Sequence, residues 1–478
     1  EISLGLVGSE MCIRDRYNYC YLYSFGKKKL LQITPEVYNM LDVYWAEGEC
    51  WEGDSIAART CSFFEKYGFL DFDNIKVGAG IDVEDIEYSI ASVPVITFEL
   101  TQKCNLGCKY CVYGDLYETE KDCVGNELSF DVAKSVIDFC LNKGMRNQLS
   151  GLKRTITIGF YGGEPLLRFD LVQQIISYTK SRESEFLTFT YNMTTNAVLL
   201  DKYMDYIVEQ DISLLISLDG DKKASSYRTL KSGRQSYDRV YSNIRELKKR
   251  HFDFYVKNVS FNAVLHDQNE LSSLLHFYHH KLNKVPMIST LATSFVKKNA
   301  FGTFNHMYRG LNSEALCQHN IPIDDYLKLN PSLITLSRFY EAYSGYFYKT
   351  FKELVNDYEY VNYVPGGACI PFTSKLFVSA DGKVHPCERV GYKYSLGYVN
   401  DKNEFILNLK EVVERYNSYY DILRPKCTLC YRIQSCPKCF LQHDINCAPV
   451  SRKDMTSYIC DMVNVCHKFR NHLKLPVL

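Results

Sequence analysis

From Val93 to about Phe295, short apolar runs of strand character alternate with longer runs whose apolar residues recur at helical spacing. Val93–Leu100, Thr155–Tyr161, Leu187–Thr194, Ile212–Leu218, Val259–Leu265 and Met287–Thr293 read as strands. Between them, Ser129–Lys143 carries Val132, Val136, Ile137, Phe139 and Cys140 on one helical stripe. Leu171–Thr179, Leu200–Val208, Val240–Lys249 and Leu271–Leu282 show the same spacing. Repeated strand–helix units predict a parallel sheet, either a barrel or doubly wound. In a barrel, chemistry belongs at the C-terminal ends of the strands.

The residues at those ends carry chemistry. After the first strand comes Thr-Gln-Lys-Cys104-Asn-Leu-Gly-Cys108-Lys-Tyr110-Cys111. Gly162-Gly163-Glu164-Pro165 follows the second strand, Thr194-Thr195-Asn196 the third and Ser217-Leu218-Asp219-Gly220 the fourth. Three thiolates spaced CxxxCxxC can hold three irons of a cubane cluster and leave the fourth iron free. The competing reading is a structural zinc site or buried thiols, but zinc sites usually close with four ligands and no fourth Cys or His lies nearby. Gly162-Gly163 also suits a plain turn, Asp219-Gly220 an ordinary turn, and Tyr110 a core position. Arg228 in Ser-Tyr-Arg suits either a carboxylate partner or solvent.

The flanks differ in pattern. Tyr19–Tyr23 and Leu30–Ile33 predict paired strands joined through Gly26 and Lys27–Lys29. Thr34-Pro35-Glu36 opens a helix predicted to run through Leu41, with Thr34 as its cap. Gly78–Asp85 reads as an acidic linker. Glu1–Arg16 resembles a translated sequencing-adapter read-through, or else a disordered terminus, and is set aside with Cys12. Phe301–Tyr363 is aromatic-rich, with a helix predicted from Ile334 to Tyr358. Residues 366–478 hold nine of the 19 cysteines.

Composition narrows the field. The 478 residues are 46% hydrophobic, enough for a full core. Lys+Arg and Asp+Glu are both 56, so charge gives no support for a nucleic-acid or membrane partner. No apolar run reaches the roughly 18 residues of a membrane span. No secretory signal is evident, and spaced cysteine groups suit metal or cluster ligation in a reducing cytoplasm, which is the expected location.

The CxxxCxxC loop together with Gly-Gly-Glu-Pro and Ser-Leu-Asp-Gly resembles the radical S-adenosylmethionine (SAM) superfamily. The C-terminal segment resembles its SPASM extension, with Gly382-Lys-Val-His-Pro-Cys387 and the CxxC-x5-C run Cys427, Cys430, Cys436. The resemblance implies an α/β fold: a partial (β/α)6 TIM-like barrel, a small N-terminal α+β unit and a Cys-rich C-terminal extension. The expected domains are 1–16 set aside, 17–92 N-terminal unit, 93–296 barrel, 297–365 connector and 366–478 SPASM domain. It implies a [4Fe-4S] cluster on Cys104, Cys108 and Cys111, with SAM at the open iron, cleaved by one electron to a 5′-deoxyadenosyl radical that abstracts a substrate hydrogen. Tyr110 would pack on the adenine, Gly162 and Gly163 would admit the methionine part, and Glu164 would accept from its ammonium. Ser217 and Asp219 would contact ribose or substrate, with Asn196 and Asn262 as further strand-end candidates.

The same resemblance implies two auxiliary [4Fe-4S] clusters. One would use Cys427, Cys430, Cys436 and Cys460, with Cys466 competing for the last place. The other would use Cys369, Cys387 and Cys439, completed by Cys447 or by a substrate cysteine. Cys439 follows Cys436 after two residues where the family usually has three. Two zinc ribbons are the alternative. Runs such as Gly-Phe-Tyr-Gly-Gly-Glu-Pro-Leu-Leu and Phe-Asn-Ala-Val-Leu-His are similar to ribosomal-peptide maturases of Bacteroidetes-type bacteria. That implies a ribosomal precursor peptide as substrate, a thioether or carbon–carbon crosslink as product, and a flavodoxin- or ferredoxin-type electron donor. The N-terminal unit resembles in outline a leader-peptide recognition element. The alternatives are a sulfatase-type formylglycine-forming maturase and a non-catalytic zinc or peptide-binding scaffold. Lys375 stands where the sulfatase type would have cysteine.

Overall fold

Apolar residues at alternating or helical spacing find buried partners throughout the described chain. The computed structural model describes residues 4–5, 11–14, 20–24, 29–47, 53–70, 78, 80–118, 125–146, 153–293, 295–310, 365, 369–427 and 439–441. Two units are distinguished: Glu1–Gly80 with Ser332–Ala368 and Tyr416–Leu478, and Ile81–Pro331 with Cys369–Arg415. The helix predicted for Ile334–Tyr358 lies outside the described residues.

The first unit opens with β1 (Leu4–Gly5), β2 (Met11–Arg14), β3 (Cys20–Ser24) and β4 (Lys29–Ile33), hydrogen-bonded in that order. The predicted pair forms as β3–β4, with Leu22 opposite Leu31. Setting aside residues 1–16 misses β2, which pairs with β3 and places Ile13 opposite Tyr21. The backbone groups on the outer side of β3 need partners, and Met11–Arg14 supplies them. Helices α1 (Pro35–Glu47) and α2 (Ile56–Lys66) follow. Thr34 caps α1 through its hydroxyl, 3.3 Å from the Val37 amide, and Ser55 caps α2, 3.1 Å from the Ala58 amide. The first helix runs beyond the predicted Leu41, since no Gly or Pro interrupts it before Gly48. Cys20, Leu22, Val37, Leu41, Cys61 and Phe64 form the core of this layer.

The second unit begins with α3 (Val83–Ala91). Asp82 and Asp85 form a reciprocal capping box, each side chain 2.9 Å from the other's amide. The acidic stretch read as a linker is therefore in part the start of a helix.

From there β5 (Val95–Thr101), α4 (Phe130–Arg146), β6 (Arg154–Gly162), α5 (Phe169–Ser181), β7 (Leu187–Thr195), α6 (Leu200–Glu209) and β8 (Ser213–Ser217) alternate. They continue with α7 (Tyr237–Arg250), α8 (Phe252–Asn258), β9 (Val259–Leu265), α9 (Leu271–Phe277), β10 (Met287–Thr290) and α10 (Phe301–Met307). All neighbours from β5 to β10 pair in parallel and in sequence order, as the six predicted strands require. Ile96, Phe98, Ile158, Phe160, Ile216 and Phe261 are buried on these strands. Each such side chain contributes about 1.5–3 kcal/mol on leaving water. Leu171, Val172, Ile175 and Ile176 form the buried face of α5, which packs against α4 and β7.

The sheet does not stop at β5. Strand β11 (Leu376–Val378) pairs with β5 in parallel, Phe377 opposite Thr97. Then β12 (Lys383–His385), β13 (Gly397–Val399) and β14 (Phe405–Leu407) follow antiparallel, making one sheet of ten described strands. The boundary expected at residue 366 thus precedes strands of the barrel's own sheet. Pairing satisfies the outer edge of β5, and Phe405 packs edge-on to Phe139 of α4 at 4.6 Å. Helix α11 (Leu409–Cys427) follows β14.

Candidate active site

The cysteine loop leaves the C-terminal end of β5 and is held by two neighbours. On one side, the end of β6 crosses it closely. Gly163 donates to Thr101 O at 2.7 Å and Glu164 to Lys103 O at 3.0 Å. A Cβ on Gly162 would lie 2.3 Å from Thr101 O, and one on Gly163 would lie 2.3 Å from Lys103 O. Gly162 also has a φ of 128°, a region closed to side chains. The two glycines are thus required by the chain's own backbone; the resemblance had given them to the methionine part of SAM.

On the other side, residues 227–231 run along the loop. Gly107 donates to Thr229 O at 2.8 Å, Lys109 to Tyr227 O at 3.2 Å, and Lys231 to Asn105 O at 3.3 Å. Within the loop, Cys111 N donates to Cys108 O at 3.1 Å. Cys104 Sγ accepts from the Leu106 amide at 3.4 Å and from Asn196 Nδ2 at 3.6 Å.

The three thiols sense one another. Burial pushes Cys104 and Cys108 up to about 11, and Glu164 and Cys108, in their ionised forms, would each raise Cys104 further. Burial raises Cys111 as well, and Cys104 acts on it in the same direction. Left to the protein, all three are neutral thiols; a bound cationic metal centre would make them thiolates.

Glu164 is fully buried. Its Oε1 accepts from Leu166 N at 3.1 Å and Thr195 Oγ1 at 2.7 Å, and its Oε2 from Asn196 N at 2.8 Å. Burial lifts its carboxyl to about 7 against those hydrogen bonds. Glu164 therefore starts the turn after β6 and ties it to the end of β7.

Residues 98–278 match the model of the radical SAM superfamily. They are a radical SAM domain.

An uncharacterized protein of Methanocaldococcus jannaschii is 32% identical over 171 residues, 36% of this chain and 54% of that protein. The chain spans about half the length of that relative. The radical SAM cyclopropyl synthase TigE of Paramaledivibacter caminithermalis is 20% identical over 446 residues, 89% of this chain and 83% of TigE. The solved structure of native anSMEcpe with bound AdoMet shares the fold, with a TM-score of 0.52 and 19% identity over 78% of this chain and 99% of that one.

A radical SAM domain implies a [4Fe-4S] cluster and SAM. The residues fit the cluster: three mutually interacting, partly buried sulfurs sit on one loop, beside the buried and unpartnered Asn105 Nδ2. Among the described residues no three Cys, His, Asp or Glu side chains are grouped to hold a single metal ion. A cubane distributes its thiolates over separate irons.

Tyr110 and Asp219 meet inside the domain. Asp219 is fully buried, and its carboxylate accepts from Arg228 Nε at 2.9 Å, Arg228 Nη2 at 3.0 Å, Val264 N at 3.0 Å and the Tyr110 hydroxyl. Burial works against the charge, but the Arg228 guanidinium and the hydrogen bonds from His266, Arg228 and Tyr110 together outweigh it and hold the carboxyl at about 2. Burial raises the Tyr110 phenol well above its ordinary value. Both residues are engaged internally, where the resemblance had given them ribose, substrate or adenine. The carboxylate that Arg228 binds is the chain's own.

Ser217, the last residue of β8, lies opposite Asn262 in the middle of β9, not at the strand end expected for it. Asn262 Oδ1 accepts from Ser289 Oγ at 2.7 Å. Asn196 Oδ1 accepts from Val198 N at 3.0 Å. His266 was not singled out by sequence, yet its buried ring lies 5.5 Å from Tyr110 and its Nε2 lies 3.6 Å from Asp219. Its signals were its place directly after the fifth barrel strand and at the end of the Phe-Asn-Ala-Val-Leu-His run.

Of the C-terminal cysteines, Cys369 is exposed, and Cys387, Cys427 and Cys439 are partly buried. Ser374 Oγ donates to Cys369 Sγ at 3.3 Å. Cys430, Cys436, Cys447, Cys460 and Cys466 lie outside the described residues. No described helix is long and apolar enough to cross a membrane.

Proposed function

We propose that the chain is a radical SAM peptide maturase that forms a thioether or carbon–carbon crosslink in a ribosomally made peptide. The observation that carries this is the loop of Cys104, Cys108 and Cys111, clamped between the Gly162–Glu164 turn and residues 227–231. Its thiols would hold the [4Fe-4S] cluster, which when bound supplies reductive cleavage of SAM and hydrogen abstraction. The chain's part is to fix that loop. Gly162 and Gly163 allow the close crossing, Glu164 and Asn196 tie the neighbouring strand ends, and Asn196 Nδ2 and the Leu106 amide donate to Cys104.

Similarity to the radical SAM cyclopropyl synthase TigE over 89% of the chain supports a radical SAM enzyme that extends beyond residues 98–278. The C-terminal cysteines, Cys369 and Cys387 among them, would hold auxiliary [4Fe-4S] clusters. A flavodoxin- or ferredoxin-type protein would supply the electron. The β3–β4 pair followed by α1 supports capture of an extended leader by strand addition. Ser217 and Asn196 at adjacent strand ends, with Asn262 opposite Ser217, are the residues proposed to face SAM or substrate.

Anaerobic reconstitution tests this reading. About twelve irons per chain are expected for three clusters, with SAM cleaved under reductant. SAM cleavage that persists in Cys104→Ala would refute it. Mass spectrometry of a candidate peptide then separates a crosslink from the aldehyde that a formylglycine-forming enzyme would leave.

A further inference from the structure

The cysteine loop and the segment that clamps it form a short antiparallel ribbon. Leu106 lies opposite Leu230, and the hydrogen bonds from Gly107 to Thr229 O, Lys109 to Tyr227 O and Lys231 to Asn105 O keep that register. Alternation along the ribbon sorts its side chains. Leu106, Tyr110 and Arg228 are buried on the inner side. Gly107, Lys109 and Lys231, at the alternate positions, are exposed.

Charge on this ribbon has one sign. Residues 103–112 and 227–236 carry Lys103, Lys109, Arg228, Lys231 and Arg234 and no Asp or Glu, in a chain whose formal charge is zero. Lys103 pairs with Glu127, and the buried Arg228 with Asp219. Lys109, Lys231 and Arg234 are exposed and have no carboxylate partner among the described residues. The Lys109 ammonium lies over the Tyr227 ring, 5.0 Å from its centre. Arg234 belongs to the adjoining hairpin, its carbonyl accepting from Leu230 N at 2.7 Å. Between Lys109 and Lys231 the ribbon is bare: a Cβ on Gly107 would meet nothing within 4 Å. Another surface can therefore come close to the backbone that joins Cys104 to Cys108.

Exposed, unpaired cations add little to folding but steer an anionic partner. Their place says which partner. Lys109 directly follows Cys108, and Lys231 is hydrogen-bonded to the residue after Cys104. We infer that Lys109, Lys231 and Arg234, around the bare Gly107, are the docking surface for an acidic one-electron carrier protein, which passes its electron through the cysteine loop to the cluster. The carrier is oxidised by one electron and the cluster reduced by one; no bond is made or broken. This rests on the radical SAM reading above and adds the face at which the electron enters.

The test compares SAM cleavage driven by a reduced bacterial flavodoxin with cleavage driven by dithionite, a small reductant that needs no docking surface. Both are measured on the reconstituted full chain at matched iron content. With Lys109→Gln and Lys231→Gln combined, the flavodoxin-to-dithionite rate ratio at subsaturating flavodoxin should fall at least about fivefold. Lys109→Arg with Lys231→Arg keeps both charges and should hold the parent ratio within about twofold. Raising ionic strength from about 0.02 to 0.5 M should lower the parent ratio and barely move that of the glutamine variant. An unchanged ratio in the glutamine variant overturns the inference. So does an equal fall in the arginine variant, which would make shape rather than charge the cause. An unchanged ratio with weakened binding of the candidate peptide also overturns it and assigns the patch to the peptide. A parent protein that cleaves SAM with dithionite but not with flavodoxin sinks this inference alone. One that cleaves no SAM with either sinks the radical SAM reading itself.

Discussion

Asn196 joins Glu164 to Cys104: its backbone amide donates to Glu164 Oε2 at 2.8 Å, and its side-chain amide donates to Cys104 Sγ at 3.6 Å. The end of β7 thus supports both the turn after β6 and the first cysteine of the loop. Removing the side-chain donor should leave the fold intact and alter the cluster. In Asn196→Ala, iron loading should persist while the cluster becomes harder to reduce, since hydrogen bonds to sulfur favour the reduced state. A redox titration of the reconstituted chain, followed by the paramagnetic signal of the reduced cluster, checks this.

The carboxyl of Glu164 gives a pH signature in the metal-free chain. Its folded pKa, about 7, lies above the unfolded value near 4.5. The folded state therefore holds the extra proton between those values, and stability from this group falls as pH rises through 7. The full effect is on the order of 3 kcal/mol. Denaturant unfolding across pH 4 to 8 should show that decline, and Glu164→Gln should flatten it.

Gly162→Ala and Gly163→Ala should each cost roughly 2–4 kcal/mol, because each new methyl meets a backbone carbonyl that cannot turn aside. Iron loading should fall with them. Gly107→Ala, in the same cysteine loop, meets nothing within 4 Å and is the control. It should change stability by less than about 1 kcal/mol. Thermal melts and iron assays read both effects.

Cysteines should divide cleanly by function. Cys104→Ala should remove about four irons and all SAM cleavage. Cys140 is fully buried in α4, and burial raises its pKa to about 12. Cys140→Ala should cost about 1 kcal/mol in packing and leave iron and SAM cleavage unchanged.

The β4 edge should bind the peptide leader. Proline at Leu31 or Gln32 tests it, since one of the two amides faces away from β3. At that position, leader binding measured by fluorescence anisotropy should weaken at least about tenfold while SAM cleavage persists.

The sequence by itself determined the order of strands and helices from β5 to β10, the parallel pairing and the three-cysteine loop. Those features are carried by local periodicity and by residues within a few positions of one another. It left Arg228 open between a carboxylate partner and solvent. Only the tertiary structure decided that the carboxylate is Asp219, that Glu164 is sealed under Thr195 and Asn196, and that β11 extends the sheet beside β5. Each of these depends on which distant segment folding brings alongside. A buried charge takes whatever partner lies within reach, and an unpaired strand edge takes whatever strand arrives; neither choice is written in the neighbouring residues.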